Sequence, residues 1–237
     1  MTALLETRGV VKRFGGLHAV DDVSISLEKG TILGLIGPNG SGKTTLLSLL
    51  AGTQSPNAGV VMLNGEQVSG KGARAAVRAG IGRTFQTTRL FPTWTLGRSI
   101  RLARRERRSA STTEMSDDDI MSMLGLSEVV DRPCSSLSSA LQRLAMIAAA
   151  LSTGPQVLLL DEPAVGMDTD EAAALGQAIQ RVRTELDLGV IVVDHNMHFL
   201  MPLADTVTVM ASGKVLASGT PAQVRADEAV IASYLGS

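Results

Sequence analysis

One segment, residues 37–44, limits what this chain can fold into more than any other part of its sequence. It reads Gly-Pro-Asn-Gly-Ser-Gly-Lys-Thr and matches the pattern GxxxxGK[ST]. An apolar run over residues 31–36 precedes it and a helical pattern over residues 42–50 follows it, which is the context that the pattern requires. Its glycines allow successive backbone N–H groups to point inward, and the helix start adds a positive dipole end. The segment therefore predicts a phosphate-binding loop rather than an ordinary glycine-rich turn, with Lys43 near the β- and γ-phosphates and Thr44 near Mg²⁺.

A second motif places two adjacent carboxylates at the end of a buried strand. Residues 157–160 are Val-Leu-Leu-Leu, and Asp161, Glu162 and a proline follow them. Neighbouring side chains of a strand point to opposite faces, so the two carboxylates can serve different purposes. Asp161 suits the ligand sphere of Mg²⁺, and Glu162 suits a general base that polarises an attacking water. A strand-end Asp-Glu pair can also be a simple turn, but its position downstream of a phosphate loop favours the catalytic interpretation.

The rest of the chain alternates between strand-like and helical segments, which favours a doubly wound α/β fold. From about residue 91 to residue 153, however, strand signals give way to helical ones. We predict a single domain over residues 1–237, with an α/β core (1–86 and 154–237) and an inserted helical subdomain (87–153). The other predicted elements are a strand at 190–193, a hairpin at 207–210 and 214–218, and helices at 170–186 and 221–235.

The composition excludes several other classes of protein. With 22 basic and 23 acidic side chains the formal charge is −1, so we expect no net attraction to nucleic acid or to an anionic membrane. A single cysteine, Cys134, rules out an intramolecular disulfide and a multi-cysteine metal site. Apolar runs fall short of the roughly 20 residues of a spanning helix, and the first residues do not resemble a signal peptide. We expect an intracellular globular protein that reaches a membrane only through a partner.

Taken together, the two motifs resemble those of the ATP-binding subunit of ATP-binding cassette (ABC) transporters, and the resemblance covers nearly the whole chain. Gln86 falls at the family's glutamine that senses Mg²⁺ and the attacking water, and His195 at its γ-phosphate-sensing histidine. Asp168 falls in the loop that communicates across the dimer, and Phe14 at the aromatic residue that lies against adenine. Taken alone, Gln86 fits a surface residue, His195 a structural histidine and Phe14 a core residue.

The resemblance implies a P-loop NTPase (ABC ATPase) α/β core with N-terminal antiparallel β strands and an inserted helical subdomain, with ATP and Mg²⁺ as ligands. It implies that Mg²⁺ is bound by Thr44, Gln86 and Asp161. The catalytic residues that it implies are Lys43, Gln86, Glu162 and His195. The residues implied to bind ATP are Phe14, Gly37, Pro38, Asn39, Gly40, Ser41, Gly42, Lys43, Thr44, Thr45, Ser138 and Asp168.

One segment departs from the family. Where family members carry an LSGGQ-type signature, which contacts the γ-phosphate of ATP held by the other protomer, residues 137–143 read Leu-Ser-Ser-Ala-Leu-Gln-Arg. Ser138 is kept, but Ala140 replaces the second glycine and Leu141 replaces the glutamine. The arginine that the family often carries near Ala149 is also missing.

These replacements predict a well-formed helix with weakened phosphate contact. Ser139 and Gln142 have the spacing of a capping box, so the helix itself should be stable. The Cβ of Ala140 occupies space that glycine leaves for phosphate, and losing a hydrogen bond to phosphate weakens binding roughly tenfold or more. We therefore expect a heterodimer, in which a second ABC ATPase with an intact signature completes the site around Lys43 and Glu162. The alternative is sequence drift that leaves activity intact.

Two segments, residues 82–91 and the C-terminal residues 217–236, resemble the ATPases of branched-chain amino acid uptake systems. That resemblance implies an importer motor at the cytoplasmic face of the cell membrane. The implied partners are integral membrane permease subunits, a second ATPase subunit and, indirectly, an extracytoplasmic solute-binding protein. Urea and short-amide importers share the pattern, as do lipopolysaccharide exporters more loosely. Phe91, Pro92 and Trp94 fall where the family receives a permease helix, with internal packing as the alternative for Trp94.

Two other functions stay open at this point. A non-transport ABC ATPase that acts on DNA or ribosomes usually has a long coiled-coil insertion or two cassettes in one chain, and this sequence has neither. A regulatory subunit that binds ATP and scarcely hydrolyses it fits the altered signature. It does not fit the intact Lys43, Asp161, Glu162 and His195.

Charged residues cluster in the predicted helical subdomain. Arginines are concentrated between residues 98 and 108, and acidic residues between 114 and 119. Such runs are typical of a solvated helix face with its neighbouring loop. A docking surface for a partner or for lipid headgroups is the alternative.

Overall fold

The computed structural model describes residues 3–84, 90–106 and 115–235, and these ranges contain two sheets and nine α-helices. The strands are β1 (Leu5–Phe14), β2 (Leu17–Val23), β3 (Ser26–Leu27), β4 (Ile32–Ile36), β5 (Ala58–Leu63), β6 (Glu66–Gln67), β7 (Ile81–Arg83), β8 (Val157–Asp161), β9 (Gly189–Val193), β10 (Thr206–Ala211) and β11 (Lys214–Gly219). The helices are α1 (Lys43–Leu50), α2 (Ala73–Ala79), α3 (Leu96–Arg104), α4 (Asp117–Met123), α5 (Ser139–Leu151), α6 (Thr169–Leu186), α7 (Met197–Leu203), α8 (Pro221–Ala226) and α9 (Glu228–Leu235).

The larger sheet determines where the functional residues meet. Its strand order is β11-β10-β4-β9-β8-β7, and every pair is parallel except the β10–β11 hairpin. Strands β4, β9 and β8 are buried along their whole length, which explains their continuous runs of apolar residues. Because these strands are parallel, the loops that follow them leave the sheet at one edge. Residues 37–42, 162–168 and 194–196 therefore share that edge.

The smaller sheet is antiparallel and covers α1. Its order is β2-β1-β5-β6, with β3 paired to β1. One buried cluster joins this sheet to α1 and to one face of the larger sheet, and it includes Val10, Val20, Leu46, Leu35 and Leu159. A second cluster, on the opposite face, packs α5, α6 and α7 against the sheet. The predicted α/β fold with N-terminal antiparallel strands is confirmed.

Helices α3, α4 and α5 lie between β7 and β8, where the helical insertion was expected. The predicted boundaries of that subdomain stay a prediction. The acidic run begins α4, where Ser116 and Asp119 form a capping box, and Arg104 pairs with Asp117 at 2.8 Å. Residues 107–114, which hold part of both charged runs, lie outside the described residues. Over the ranges described, no helix is long and apolar enough to cross a membrane.

The segment predicted as helical, residues 221–235, consists of two helices rather than one. Helix α8 ends at Ala226, and α9 begins at Glu228. Asp227 lies between them with extended backbone (φ −76°, ψ 120°), and its Oδ1 accepts a hydrogen bond from the backbone N–H of Ala229 at 2.8 Å. A side chain that caps the second helix in this way ends the first one.

Candidate active site

The phosphate loop lies between β4 and α1, as predicted, and its backbone requires glycine. Gly37, Gly40 and Gly42 have φ angles of 145°, 77° and 104°, which L side chains rarely adopt. A Cβ at Gly37 would stand 2.1 Å from the carbonyl oxygen of Met210, and one at Gly42 would stand 2.2 Å from that of Ala19. The loop is therefore pressed between β2 and β10, and neither of these two glycines can be replaced without moving backbone.

The turn between β10 and β11 closes the back of the loop. The backbone N–H of Gly213 donates to the carbonyl oxygen of Ser41 at 3.1 Å. The carbonyl oxygen of Gly213 accepts from the N–H of Asp21, in β2, at 2.8 Å. Segments near both ends of the chain thus form the walls of the phosphate loop.

Helix α1 begins at the loop without a side-chain cap. Its N-cap is Gly42, which has no side chain to accept a hydrogen bond from the first turn. The first N–H groups of any helix have no partner within it, so here they remain for a ligand. Together with the helix dipole they form a site for an anion.

Lys43 is the cation of this loop. Its side chain is buried, and its ammonium group donates to the carbonyl oxygens of Gly37 at 2.8 Å and Pro38 at 2.9 Å. Burial lowers the pKa of Lys43, and the nearby carboxylates of Glu162 and Asp161 partly oppose that shift. Lys43 therefore lies at the same edge of the sheet as both predicted strand-end carboxylates.

Asp161 ends β8 and forms a buried ion pair. Its Oδ2 lies 2.9 Å from Nη2 of Arg83, and the two side chains are only 5% and 9% exposed. Nη1 of Arg83 also donates to Oγ of Ser48, in α1, at 3.1 Å. This pair connects the end of β8 to the helix that carries Thr44. No local sequence pattern indicates this role of Arg83, because none shows that β7 pairs with β8.

Glu162 and His195 are brought together because they follow two neighbouring parallel strands, β8 and β9. Glu162 has the left-handed backbone conformation (φ 46°), which costs a non-glycine residue about 1 kcal/mol or more. Its backbone N–H donates to the carbonyl oxygen of Val193 at 2.7 Å. Oε1 of Glu162 lies 3.8 Å from Nδ1 of His195, whose side chain is 63% exposed. A carboxylate and an imidazole thus face each other at the edge that the phosphate loop occupies.

The site suits a polyphosphate with a divalent cation. Oxygen atoms are the ligands that Mg²⁺ prefers, and two oxygen-bearing residues flank the loop: Thr44, exposed at the start of α1, and Asp161, at the end of β8. Thr45 follows in the same helix turn. Gln86, the third predicted Mg²⁺ ligand, lies outside the described residues.

Phe14 lies at the tip of the β1–β2 hairpin and is 47% exposed, so the alternative that it belongs to the core is wrong. The ammonium group of Lys12 lies 5.3 Å from the centre of its ring. An accessible aromatic face of this kind can stack on a base.

Ser138 and Asp168 cap their own helices rather than joining the residues around Lys43. Oγ of Ser138 accepts from the N–H of Leu141 at 3.3 Å, at the start of α5. Oδ1 of Asp168 accepts from the N–H of Glu171 at 2.8 Å, at the start of α6. Among the described residues, neither forms a hydrogen bond with the phosphate loop.

The predicted capping box of Ser139 and Gln142 is wrong by one residue. The N-cap of α5 is Ser138, and Ser139 is already the first residue of the helix. Nε2 of Gln142 instead donates to the carbonyl oxygen of Leu137 at 3.0 Å. Both serines satisfy the local rule for a cap, and the sequence pattern does not separate them.

Known proteins resemble this chain along its length. The sequence profile of the ABC transporter family matches residues 20–165, and that of the branched-chain amino acid ATP-binding cassette transporter matches residues 214–237. The high-affinity branched-chain amino acid transport ATP-binding protein BraF of Pseudomonas aeruginosa is 34% identical over 249 aligned positions, covering 98% of each chain. LivG of Escherichia coli K12, a protein of the same description, has the same identity and coverage.

A solved structure agrees with these relatives. The ADP conformation of MJ1267, an ATP-binding cassette of an ABC transporter, matches the chain with a TM-score of 0.89 and 27% identity, covering 100% of both chains. The fold, the phosphate loop and the family profile lead to the same assignment. The chain belongs to the ABC transporter family, as an ATP-binding subunit that hydrolyses ATP.

Proposed function

We propose that this chain is the motor subunit of an ABC importer for branched-chain or other amino acids, acting at the cytoplasmic face of the cell membrane. The observation that carries its chemistry is the meeting of Lys43, Asp161, Glu162 and His195 at one edge of the parallel sheet. The substrate class rests on BraF and LivG, which are described as branched-chain amino acid transport proteins, and on the match of residues 214–237.

In this proposal the phosphate loop binds ATP by exchanging hydrogen-bond partners. The ammonium group of Lys43 turns from the carbonyl oxygens of Gly37 and Pro38 to the β- and γ-phosphates, and the open start of α1 receives phosphate oxygens. Phe14 stacks on the adenine. Thr44 and Asp161, with Gln86, are the residues that would hold Mg²⁺, which supplies positive charge against the phosphate oxygens.

Hydrolysis is a transfer of the γ-phosphoryl group to water. The carboxylate of Glu162 orients the water and accepts its proton as the water oxygen bonds to the γ-phosphorus and the bond to the leaving ADP oxygen breaks. Lys43 stabilises the charge on the transferring group. His195, whose Nδ1 lies 3.8 Å from Oε1 of Glu162, donates a hydrogen bond to a γ-phosphoryl oxygen.

The start of α5 supports unequal pairing with a second ATPase subunit. The hydroxyl of Ser138 already accepts from Leu141, and Ala140 adds a side chain in the first turn. That side chain occupies space that glycine would leave for the backbone to approach phosphate closely. We therefore favour a heterodimer, in which the other subunit supplies an intact signature to the ATP held by Lys43.

An exposed aromatic surface at the start of α3 supports attachment to a permease. The ring of Phe91, itself exposed, stacks on Trp94 with centres 4.4 Å apart. The guanidinium group of Arg98 lies 3.8 Å from the centre of the Trp94 ring. Aromatic and arginine side chains are enriched in protein interfaces. We assign this surface to the integral membrane permease, through which an extracytoplasmic solute-binding protein would act indirectly.

Steady-state hydrolysis of Mg·ATP by the purified chain tests the proposal. We expect Glu162→Gln to lower turnover at least about 100-fold while a fluorescent ATP analogue still binds, because only the general base is lost. The double variant Ala140→Gly with Leu141→Gln should turn over faster than the wild type. Full turnover by the Glu162→Gln variant would refute the assigned chemistry, and high turnover by the unmodified chain alone would remove the support for a heterodimer.

A further inference from the structure

A buried carboxylate outside the predicted site connects the two catalytic loops. Asp194 directly follows β9 and is 1% exposed. Its Oδ2 accepts a hydrogen bond from the backbone N–H of Ala164 at 3.2 Å, and its Oδ1 accepts one from that of Asn196 at 2.9 Å. Ala164 lies two residues after Glu162, and Asn196 directly follows His195. One side chain therefore holds the turn that carries the glutamate and the turn that carries the histidine.

The hydrogen bonds of Asp194 act on the two turns whose relative position matters for hydrolysis. Glu162 has a strained backbone, held on its N-terminal side by a hydrogen bond of 2.7 Å to the carbonyl oxygen of Val193. His195 is largely exposed, and its Nδ1 lies 3.8 Å from Oε1 of Glu162 and 3.9 Å from Oδ1 of Asp194. Asp194 is buried, and through Ala164 it holds the backbone on the C-terminal side of Glu162.

The chemistry of a carboxylate suits this position. Taking a charge out of water is costly unless hydrogen bonds compensate, so a buried carboxylate with two backbone donors indicates a specific requirement. A carboxylate accepts from two N–H groups in different directions, and such charge-assisted bonds are stronger than neutral ones. An asparagine of the same shape has a single acceptor oxygen, and its amide would face the second donor with another donor.

We infer that Asp194 is a positioning residue for ATP hydrolysis, which fixes the separation of Glu162 and His195 by holding the backbone of both turns. The inference rests on the roles proposed above for those two residues. A displacement of about 1 Å in a catalytic group can lower a rate by about 100-fold. Losing the two hydrogen bonds of Asp194 should therefore lower the rate of the hydrolysis step. Nucleotide affinity is set by the phosphate loop, and among the described residues the hydrogen bonds of Asp194 go to Ala164 and Asn196 instead.

The first test compares Asp194→Asn with a matched control, Asp205→Asn. Asp205 also accepts a backbone N–H, that of Ile32 at 2.8 Å, but it does so at the start of β4, at the opposite end of the strands. Phosphate release is measured in single turnovers with enzyme in excess. We expect Asp194→Asn to lower the rate about 10- to 100-fold with the affinity for a fluorescent ATP analogue changed less than about threefold, and Asp205→Asn to leave both unchanged.

A double-mutant cycle distinguishes positioning from mere stabilisation. If Asp194 acts through the geometry of Glu162 and His195, Asp194→Asn should lower the rate less than about threefold in a His195→Ala background. If its effect is the same in both backgrounds, the inference is wrong. The inference is also wrong if Asp194→Asn lowers only the unfolding temperature.

Hydrogen exchange provides a readout that needs no turnover. The amide of Ala164 should exchange faster in Asp194→Asn than in the wild type or in Asp205→Asn, because it loses its buried acceptor. Unchanged exchange there overturns the inference. If Glu162→Gln and His195→Ala both keep full turnover, the proposed function fails; if they lose turnover and Asp194→Asn does not, the inference alone fails.

Discussion

Two helices of this chain begin at segments that the ABC family uses to contact phosphate, and they begin differently. Helix α1 starts at Gly42, without any side-chain cap. Helix α5 starts at Ser138, whose hydroxyl accepts the N–H of Leu141 at 3.3 Å. The first helix leaves its initial N–H groups to a ligand, and the second partly satisfies its own.

A helix start is therefore not by itself a phosphate site. At α1, glycines with positive φ angles let the preceding backbone curl around an anion. At α5, Ser139 and Ala140 carry side chains in the first turn. If two ATPase subunits pair as proposed, this chain contributes the strong half of one site and the weak half of the other.

The largest loss of stability is expected when the ion pair between Arg83 and Asp161, next to the phosphate loop, is broken. Arg83→Met leaves the buried carboxylate of Asp161 without the cation that lies 2.9 Å from it. Removing one partner of a buried ion pair costs about 3–5 kcal/mol, so we expect a loss of that size in the free energy of unfolding, measured by urea denaturation. The control is Lys29→Met, which breaks the exposed pair with Asp187 and should cost less than about 1 kcal/mol. Equal losses for the two variants would contradict the anchoring role.

The next prediction gives the phosphate loop the kind of change that the signature already has, alanine in place of glycine. Gly42→Ala forces a Cβ to within 2.2 Å of the Ala19 carbonyl oxygen at a φ angle of 104°. We expect the affinity for a fluorescent ATP analogue to fall at least about 100-fold, or about 2.7 kcal/mol. Gly176→Ala is the control, since its Cβ would meet Phe199 at an ordinary 3.6 Å within a helix. An unchanged affinity in Gly42→Ala would show that the phosphate loop tolerates alanine in place of glycine, as at Ala140 of the signature.

A smaller effect is expected at the start of α5. Ser138→Ala removes the cap and should lower the free energy of unfolding by about 1 kcal/mol, whereas Ser138→Gly should cost only a few tenths. The neighbouring Ser139→Ala should be neutral, because Ser139 lies inside the helix. Urea denaturation of the three variants measures these values. A larger loss of unfolding free energy in Ser139→Ala than in Ser138→Ala would show that Ser139 is the cap, as the sequence predicts.

The smallest expected effect is a gain in stability with rising pH, which depends on Lys43. Because burial lowers the pKa of Lys43 below its ordinary value of about 10.5, the folded state releases this proton at a lower pH than the unfolded state. Between those two pKa values the unfolded state binds more protons, so the contribution of Lys43 to the free energy of unfolding increases as pH rises. Lys43→Met should lack this alkaline increase, and the exposed Lys29→Met should keep it. Parallel stability profiles for Lys43→Met and wild type as the pH rises towards 10.5 would contradict this account.

The parts of the site that sequence reasoning found are those with a continuous local pattern. The buried strands β4, β8 and β9 are runs of apolar residues, and each is followed by a polar residue or a glycine that marks its end. Since parallel strands end at a common edge, the meeting of Lys43, Glu162 and His195 follows from those runs alone. Asp194 could have been found in the same way, because it follows β9 as Asp161 completes β8.

Other features depend on contacts between distant segments and have no local signal. Arg83 meets Asp161 only because β7 pairs with β8 across the helical insertion. The cap of α5 falls on Ser138 rather than on the adjacent Ser139, although both residues satisfy the local rule for a cap. The break at Asp227 is equally hidden, since the residues around it are all acceptable in a helix.

The walls of the phosphate loop have a consequence for the order in which the protein becomes functional during synthesis. Residues 37–44 leave the ribosome early, but the loop rests against Met210 and is hydrogen-bonded to Gly213. Chains emerge from their N-terminus, so these contacts cannot form until most of the polypeptide has been translated. A nascent chain therefore displays the loop sequence without a pocket that can retain ATP. ATP binding is therefore expected only as translation nears its end, when almost the whole chain is available to fold and to bind its partners.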